Sequence, residues 1–531
     1  MKKKKNNLTL EDYQHEFLYK DNKGLINVSF NRVAFIFFIF LFIAIIFSLK
    51  ATFYGFTKVN KKKIYSPNKD YRSTIFDRNG NILAKSVNTI NVGINPKLVI
   101  DKKKLLLNLK IIFPNKDLNF IKEKLNKKKF FYIQKNINNK KLEQLMLLGD
   151  KSISTEEKIS RVYPQAELFS HILGQIDDDN MGISGIEKYF DQRLKTSKKP
   201  IYLTVDSDLQ FIIRKELIDF IEIFQNIGSA AILMNVNNGE ILSMISLPDF
   251  DLNKRQLIND KNYINRATKG VYELGSVFKT FTYAAGLNEE VINANTEFLG
   301  LKKKIYCAGR PIGEYDDKIP TDLTAEQILI RSGNIGSVRI AQKVGEEKFK
   351  NFLSDLGLLD TLDFDIEEIG TPLKFKWGKC KLATSSYGHG ITTTPIQLAK
   401  GYSIISNGGY EVKPTLILGK NNKDTRYQQI ISEETSNKVN LALRKIVTTK
   451  EGTASFANIE GYEIGGKTGT AQKSIEGGYS RKKINTFASI FPTTDPKYVL
   501  IVMLDEPMAN PEYVYEYKDG SGWKIKGTQF N

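Results

Sequence analysis

The alternation of apolar and polar positions divides the chain into stretches of different texture. From Val33 to Leu49 run 17 residues without a charge. As a helix they reach roughly 26 Å, close to the hydrocarbon thickness of a bilayer. The 32 residues before the run carry Glu11, Asp12, Glu16 and Asp21, and no A-x-A-like site follows it. That favours an uncleaved anchor over a removed leader. The expected layout begins with a tail over 1–32 and a transmembrane segment over 33–53. Lys and Arg number seven before the run and seven in the 23 residues after it, so charge does not set its orientation.

Residues 57–200 alternate short apolar runs with Lys/Asn-rich stretches, and Asp77-Arg78-Asn79-Gly80 ahead of Ile82-Leu83-Ala84 signals a turn. Nothing there reads as a catalytic constellation. Near 201 the texture changes. Ile201 to Val205 has the pattern of a strand and Leu209 to Ile223 that of an amphipathic helix. Ser229 to Val236 and Glu240 to Leu247 flank Asn237-Asn238-Gly239, which predicts a hairpin. A later helix is signed by Thr394 as N-cap, Pro395 at its first position, Gln397 completing a capping box and Gly408-Gly409 past its end. Hairpin strands mixed with helices predict an α+β fold over 201–531, behind a separate domain over 57–200. No repeat of 20–50 residues is present.

At 531 residues the chain is long enough for several domains. Its formal net charge of +19 raises the question of nucleic acid. The excess is spread along the chain and no zinc-knuckle, RRM or helix-turn-helix signature accompanies it, so a solvated basic surface is expected and no nucleic-acid partner. Two cysteines, Cys307 and Cys380, exclude a disulfide framework and a four-cysteine zinc site; they read as free thiols or one bridge. Three histidines, His15, His171 and His389, are too far apart for a short-spaced metal motif. No metal and no cofactor is expected. His389, between two glycines, reads as structural or as part of a site's rim.

Three short motifs carry chemistry: Ser276-Val277-Phe278-Lys279, Ser332-Gly333-Asn334 and Lys467-Thr468-Gly469-Thr470, spaced by 56 and 135 residues. S-x-x-K also occurs at Ser66, Ser480 and Ser521, and S-x-N at Ser66 and Ser86, so the order and spacing of the set carry the weight. On a helix, positions i and i+3 place the Ser276 hydroxyl and the Lys279 amine on one face. A hydroxyl needs a base, and a desolvated lysine beside another cation can serve. Lys467-Thr468-Gly469 reads as strand, with Gly465-Gly466 allowing close approach. A second lysine there would hold Lys279 neutral and meet a carboxylate. Thr468 and Thr470 would donate to that carboxylate, and the N–H groups of Ser276 and Thr470 would form an oxyanion hole.

The set resembles the serine D,D-transpeptidases called penicillin-binding proteins. Arg72 to Gly80, Arg161-Val162-Tyr163-Pro164 and Gly182 to Gln192 resemble the family's elongated non-catalytic pedestal, while Leu247-Pro248-Asp249-Phe250-Asp251 and Asn265-Arg266-Ala267 precede the serine as in class B members. The likeness covers roughly residues 70–510. It implies that Ser276 is acylated by the penultimate D-alanine of a peptidoglycan stem peptide, with Lys279 as base and Ser332 as proton relay. Asn334 would hold a substrate amide, and Lys467, Thr468, Gly469 and Thr470 would bind the carboxylate and help form the oxyanion hole. It further implies β-lactam binding, a membrane location with the part after the anchor outside the cytoplasm, a partner glycosyltransferase and division-complex proteins.

Three departures qualify the likeness. Gly333 stands where septal members commonly have a second serine, family members usually continue beyond the Tyr498 to Asp505 strand, so a truncated last element is expected, and no histidine lies near Cys307 as in some elongation-type members. Gly270 to Gly275 resembles division-type members, which points to septum synthesis. The alternatives are an elongation-type transpeptidase, a hydrolytic carboxypeptidase or β-lactamase, and a non-catalytic penicillin-binding receptor or scaffold.

Overall fold

A computed structural model describes residues 16–21, 24–56, 71–254, 263–421, 428–475, 478–516 and 524–528. The chain forms two units, Met1–Lys69 and Asp70–Asn531. In the first, a hairpin of Glu16–Asp21 and Gly24–Ser29 leads into helix α1, Phe30–Phe56. Within α1, Val33–Thr52 is long and apolar enough to cross a membrane, and its Phe, Ile and Leu side chains are exposed. A helix that is apolar all round and exposed among the described residues has the character of a lipid-facing span. Of the expected tail, residues 1–15 and 22–23 lie outside the described residues.

The second unit opens with a β-rich part. Strand β1 (Ile82–Ile94) pairs antiparallel with β2 (Ile153–Val162), from Lys85 opposite Val162 to Ile94 opposite Ile153. The turn before β1 forms where the sequence placed it: Asp77 accepts from the N–H groups of Asn79 and Asn81 at 2.9 and 2.7 Å, and Gly80 takes φ +88°. Leu105, Leu109, Ile121, Leu125 and Leu145 make a small core of their own beside Val92 and Ile94.

At the base of these strands lies an ionic knot. The Glu187 carboxylate, fully buried, binds Arg72 and Arg161 at 2.7 Å each, and Arg72 also reaches Asp191 at 2.7 Å. Arg161 donates further to the carbonyls of Arg72 and Ser73. Segments distant in sequence are thereby fixed to one carboxylate.

The expected strand at Ile201 to Val205 forms only over Ile201–Tyr202 and then changes partner. Ile201–Tyr202 pairs in parallel with Ile75–Phe76, whereas Leu203 bridges to Ile417 and the Thr204 N–H donates to Leu416. Helix α2 (Ser207–Phe224) follows, capped by Asp206. Strands β3 (Gly228–Asn235) and β4 (Ile241–Leu247) then form the predicted hairpin.

Helix α3 (Lys279–Asn288) is buried from Lys279 to Leu287. Beyond it come a small hairpin of β5 (Lys304–Cys307) and β6 (Arg310–Gly313), then helices α4 (Asn334–Val344), α5 (Lys379–Ser385), α6 (Pro395–Ser406) and α7 (Glu433–Thr448). The capping box of α6 forms as expected, with the Thr394 hydroxyl on the Gln397 N–H. Strands β7 (Gly465–Ile475), β8 (Gly478–Phe491) and β9 (Tyr498–Asp505) complete an antiparallel sheet of order β7-β8-β9-β3-β4. Side chains from α2 pack on one face of the sheet against Ala231, Ile245 and Leu247, and the large core with α3, α6 and α7 fills the other. Edge strand β7 is therefore left beside the amino-terminal end of α3.

Removing the charge of Glu187 leaves two buried guanidinium groups facing a neutral amide. Breaking such a site from one side costs about 3–5 kcal/mol. Glu187→Gln is expected to lower the urea midpoint of the β1–β2 region accordingly, read by hydrogen exchange at those strands; an unchanged midpoint would show that the knot adds nothing to stability.

Candidate active site

Ser276 and Lys279 do not share a regular α-helix, as the sequence suggested. Gly275–Phe278 is a 3₁₀ turn and α3 starts at Lys279. In a 3₁₀ turn positions i and i+3 eclipse one another, so hydroxyl and amine still share a face. Close packing accounts for the tightened turn. Gly275 has φ +65°, and a Cβ on it would lie 2.5 Å from the Thr470 carbonyl; one on Gly469 would lie 2.4 Å from the Leu274 carbonyl. Backbone of β7 and backbone of the nucleophile's turn are thus in direct contact, which only glycine permits.

The Lys279 Nζ donates to the Ser332 hydroxyl at 3.0 Å and to the Ser332 carbonyl. Ser332 itself is held at φ +57°, a costly conformation for a residue with a Cβ. Burial pushes the Lys279 amine down to about 7, against the opposing pull of the Glu314 carboxylate. Desolvation is thus the main cause, where the sequence expectation gave that role to a second lysine. Lys467, also fully buried, is pushed well down by burial first and by Lys279 second. Its Nζ donates to the Thr468 carbonyl at 2.8 Å and to the Thr453 hydroxyl at 3.4 Å, and the Thr468 hydroxyl donates to Thr453 at 2.9 Å.

The third motif residue is placed differently from the first two. The Asn334 side-chain amide donates to the Gly313 carbonyl at 2.7 Å, so its donor is turned into β6. The first turn of α4 is gripped by Glu314, whose carboxylate accepts from the Asn334 and Ile335 N–H groups at 2.6 and 2.9 Å. An acidic group at a helix N-terminus satisfies donors that the helix leaves open. Next to it, the Tyr315 ring has Lys279 Nζ 6.0 Å from its centroid, while its hydroxyl donates to the Arg331 carbonyl.

Ser276, Tyr315, Ser332, Thr453, Thr468 and Thr470 line one cleft of about 680 Å³, and the buried Lys279 and Lys467 do not. Asn334 is not among its lining residues. Thr453, Glu314 and Tyr315 escaped the sequence reading. Only Tyr315 left a mark there, as an aromatic in the polar stretch Gly313-Glu314-Tyr315-Asp316-Asp317-Lys318. Cys307 on β5 and Cys380 on α5 are joined in a disulfide, which resolves the two readings left open for them.

The chain contains what this geometry leads one to seek. A profile of the penicillin-binding protein transpeptidase domain matches residues 229–521, and one of the penicillin-binding protein dimerisation domain matches residues 67–217. The chain belongs to the penicillin-binding protein transpeptidase family. It is 30% identical to stage V sporulation protein D of Bacillus subtilis, over 90% of this chain and 82% of that protein. It is 29% identical to the peptidoglycan D,D-transpeptidase FtsI of Buchnera aphidicola, with 94% of both chains covered. It is 29% identical to the probable peptidoglycan D,D-transpeptidase FtsI of Caulobacter vibrioides, over 83% of this chain and 76% of that one.

In this member of the family the charge of Glu314 is the one that favours the Lys279 ammonium. Glu314→Gln keeps an acceptor at the α4 terminus and removes that charge, so Lys279 should lose its proton at lower pH. The acid limb of the pH–rate profile for acylation by a penicillin is expected to move to lower pH. A limb that stays in place or moves up would rule out this electrostatic link.

Proposed function

We propose that this protein is a membrane-anchored peptidoglycan D,D-transpeptidase that forms a serine acyl-enzyme during septum synthesis. The observation that carries the reading is the buried Lys279, its amine pushed down to about 7 and bonded to the hydroxyl of Ser332, which lines one cleft with Ser276. The likeness to proteins named as FtsI transpeptidases supports the substrate and the cell-division role.

On this reading the Ser276 Oγ attacks the carbonyl carbon of the penultimate D-alanine, and its proton passes to Lys279, directly or through the Ser332 hydroxyl. The oxyanion is met by the N–H groups of Ser276 and Thr470. Collapse breaks the peptide C–N bond, and the proton returns to the departing amine, so terminal D-alanine leaves and the stem remains as an ester on Ser276. An amine from a second stem then attacks that ester, giving up a proton through the same relay, and the cross-link forms as Ser276 is freed. Lys467, Thr468 and Thr470 receive the substrate carboxylate, and Gly469 lets the substrate backbone lie close to β7. Asn334, engaged with Gly313 and outside the cleft lining, would have to turn toward the cleft to hold a substrate amide. Substrate lies outside the cytoplasmic membrane, so the residues after α1 work on that side, the pedestal over 57–200 carrying the transpeptidase domain over 201–531.

Mass measurement of the intact chain after a β-lactam should show one adduct, absent in Ser276→Ala; an adduct that persists in that variant would reassign the nucleophile. Lys279→Arg keeps the charge but cannot take a proton, and loss of a general base costs on the order of 10²–10⁴ in rate. In the native chain the acylation rate should climb with pH as Lys279 deprotonates and level off above about 7.

For the division role, depletion in the native host should give filaments with stalled septa, with Ser276→Ala still reaching mid-cell. Cells that round up while septa close would assign the enzyme to elongation.

A further inference from the structure

Two residues before the glycine of the nucleophile's turn stands a carboxylate that the reaction as described does not use. Glu273 interrupts the largely apolar run Val271-Tyr272-Glu273-Leu274, and its side chain is 7% exposed. It accepts from the Gly390 N–H at 2.8 Å and from the Tyr479 hydroxyl at 3.0 Å, and lies 3.7 Å from the His389 Nδ1. The His389 ring is stacked between Tyr479, at 4.5 Å, and Tyr387, at 5.9 Å.

Its partners belong to two segments that touch Gly275 from different sides. The 388–390 turn presses on the Gly275 carbonyl, since a Cβ on Gly388 would lie 2.0 Å from that oxygen. Tyr479 sits on β8 opposite Ser474 of β7, the strand whose Thr470 carbonyl a Cβ on Gly275 would approach to 2.5 Å. The backbone that carries the Ser276 N–H therefore passes between a turn and a strand, and the same carboxylate holds both.

We propose that Glu273 is a positioning residue for acylation, clamping the 388–390 turn and the β7–β8 hairpin on either side of Gly275 so that Ser276 and the oxyanion-hole N–H groups keep their aim. It touches no substrate and acts through the backbone of both segments. Misplacement of a reacting group by about 1 Å can cost on the order of 10²-fold in rate. The inference rests on the transpeptidase reading given above.

The test uses the full chain in detergent and a chromogenic cephalosporin, with the acylation rate constant separated from the dissociation constant of the non-covalent complex. Glu273→Gln should slow acylation about 30-fold while leaving non-covalent binding within about threefold, a split that simple loss of folded protein does not produce. Tyr479→Phe, which deletes one hydroxyl and keeps the ring on His389, should slow it about fivefold. Both changes act on one clamp, so the double variant should be no slower than Glu273→Gln. Unchanged acylation in Glu273→Gln, or losses that multiply in the double variant, would overturn the inference while native acylation leaves the transpeptidase reading standing. A native chain that takes no cephalosporin would overturn both.

Discussion

The site depends on the cost of burying a lysine amine. Lys279 is 1% exposed, and a charged ammonium there lacks the water that would stabilise it. The protein meets that cost by letting the group go neutral near pH 7 and by giving it two acceptors on one residue, the carbonyl and hydroxyl of Ser332. Those acceptors sit on a residue held at φ +57°. A strained conformation persists only where its surroundings hold it. The Ser332 N–H bonds back to Leu329, the Gly333 N–H bonds to Ile328, and Glu314 fixes the first turn of α4. The base is thus set by burial, and its burial is made tolerable by a strained neighbour.

The second constraint is steric. Gly275, Gly388 and Gly469 lie where a Cβ would strike backbone oxygen at 2.0–2.5 Å. Backbone cannot swing aside as a side chain can, so these three positions fix the separation of the nucleophile's turn from β7 and from the 388–390 turn. The N–H groups of Ser276 and Thr470 come from two of these elements. Their spacing is set by packing, independently of the protonation of either lysine.

Local features were legible in the sequence and contacts between distant loops were not. The β7 motif, the β3–β4 hairpin and the α6 capping box each rest on spacing within a few residues, and each formed, whereas Ser276 fell on a 3₁₀ turn ahead of α3 and not on the helix expected. Thr453 stands in a polar stretch with no period, yet it receives hydrogen bonds from Lys467 and Thr468. Glu314 looks like one more acid among Lys and Asp until tertiary structure brings it to the α4 terminus. Asn334 was legible as a motif member, but its engagement with Gly313 depends on the hairpin of β5 and β6. Glu273 did leave a trace, as a lone acid in an apolar run ahead of the serine. The Ile201 strand was read as one element because its apolar pattern is continuous, whereas its hydrogen bonds change partner after Tyr202.

Two buried lysines, bonded to the cleft residues Ser332 and Thr468, make the base responsive to what the cleft holds. Lys467 is pushed well down by desolvation first and by Lys279 second, so charge on either amine disfavours charge on the other. A substrate carboxylate reaching Lys467, as the proposed reaction requires, would favour its ammonium, since an opposite charge within a few ångströms stabilises the charged form. Coupling between titrating groups is reciprocal, and a Lys467 that gains a proton makes one on Lys279 less favourable. The anion's own charge acts on Lys279 in the opposite sense, so proton uptake at Lys467 offsets it and lets the base keep the neutral amine that can accept the Ser276 proton. The second lysine's effect on the first, expected from the sequence as the cause of its neutrality, is secondary to desolvation and becomes a compensation for the anion once one binds.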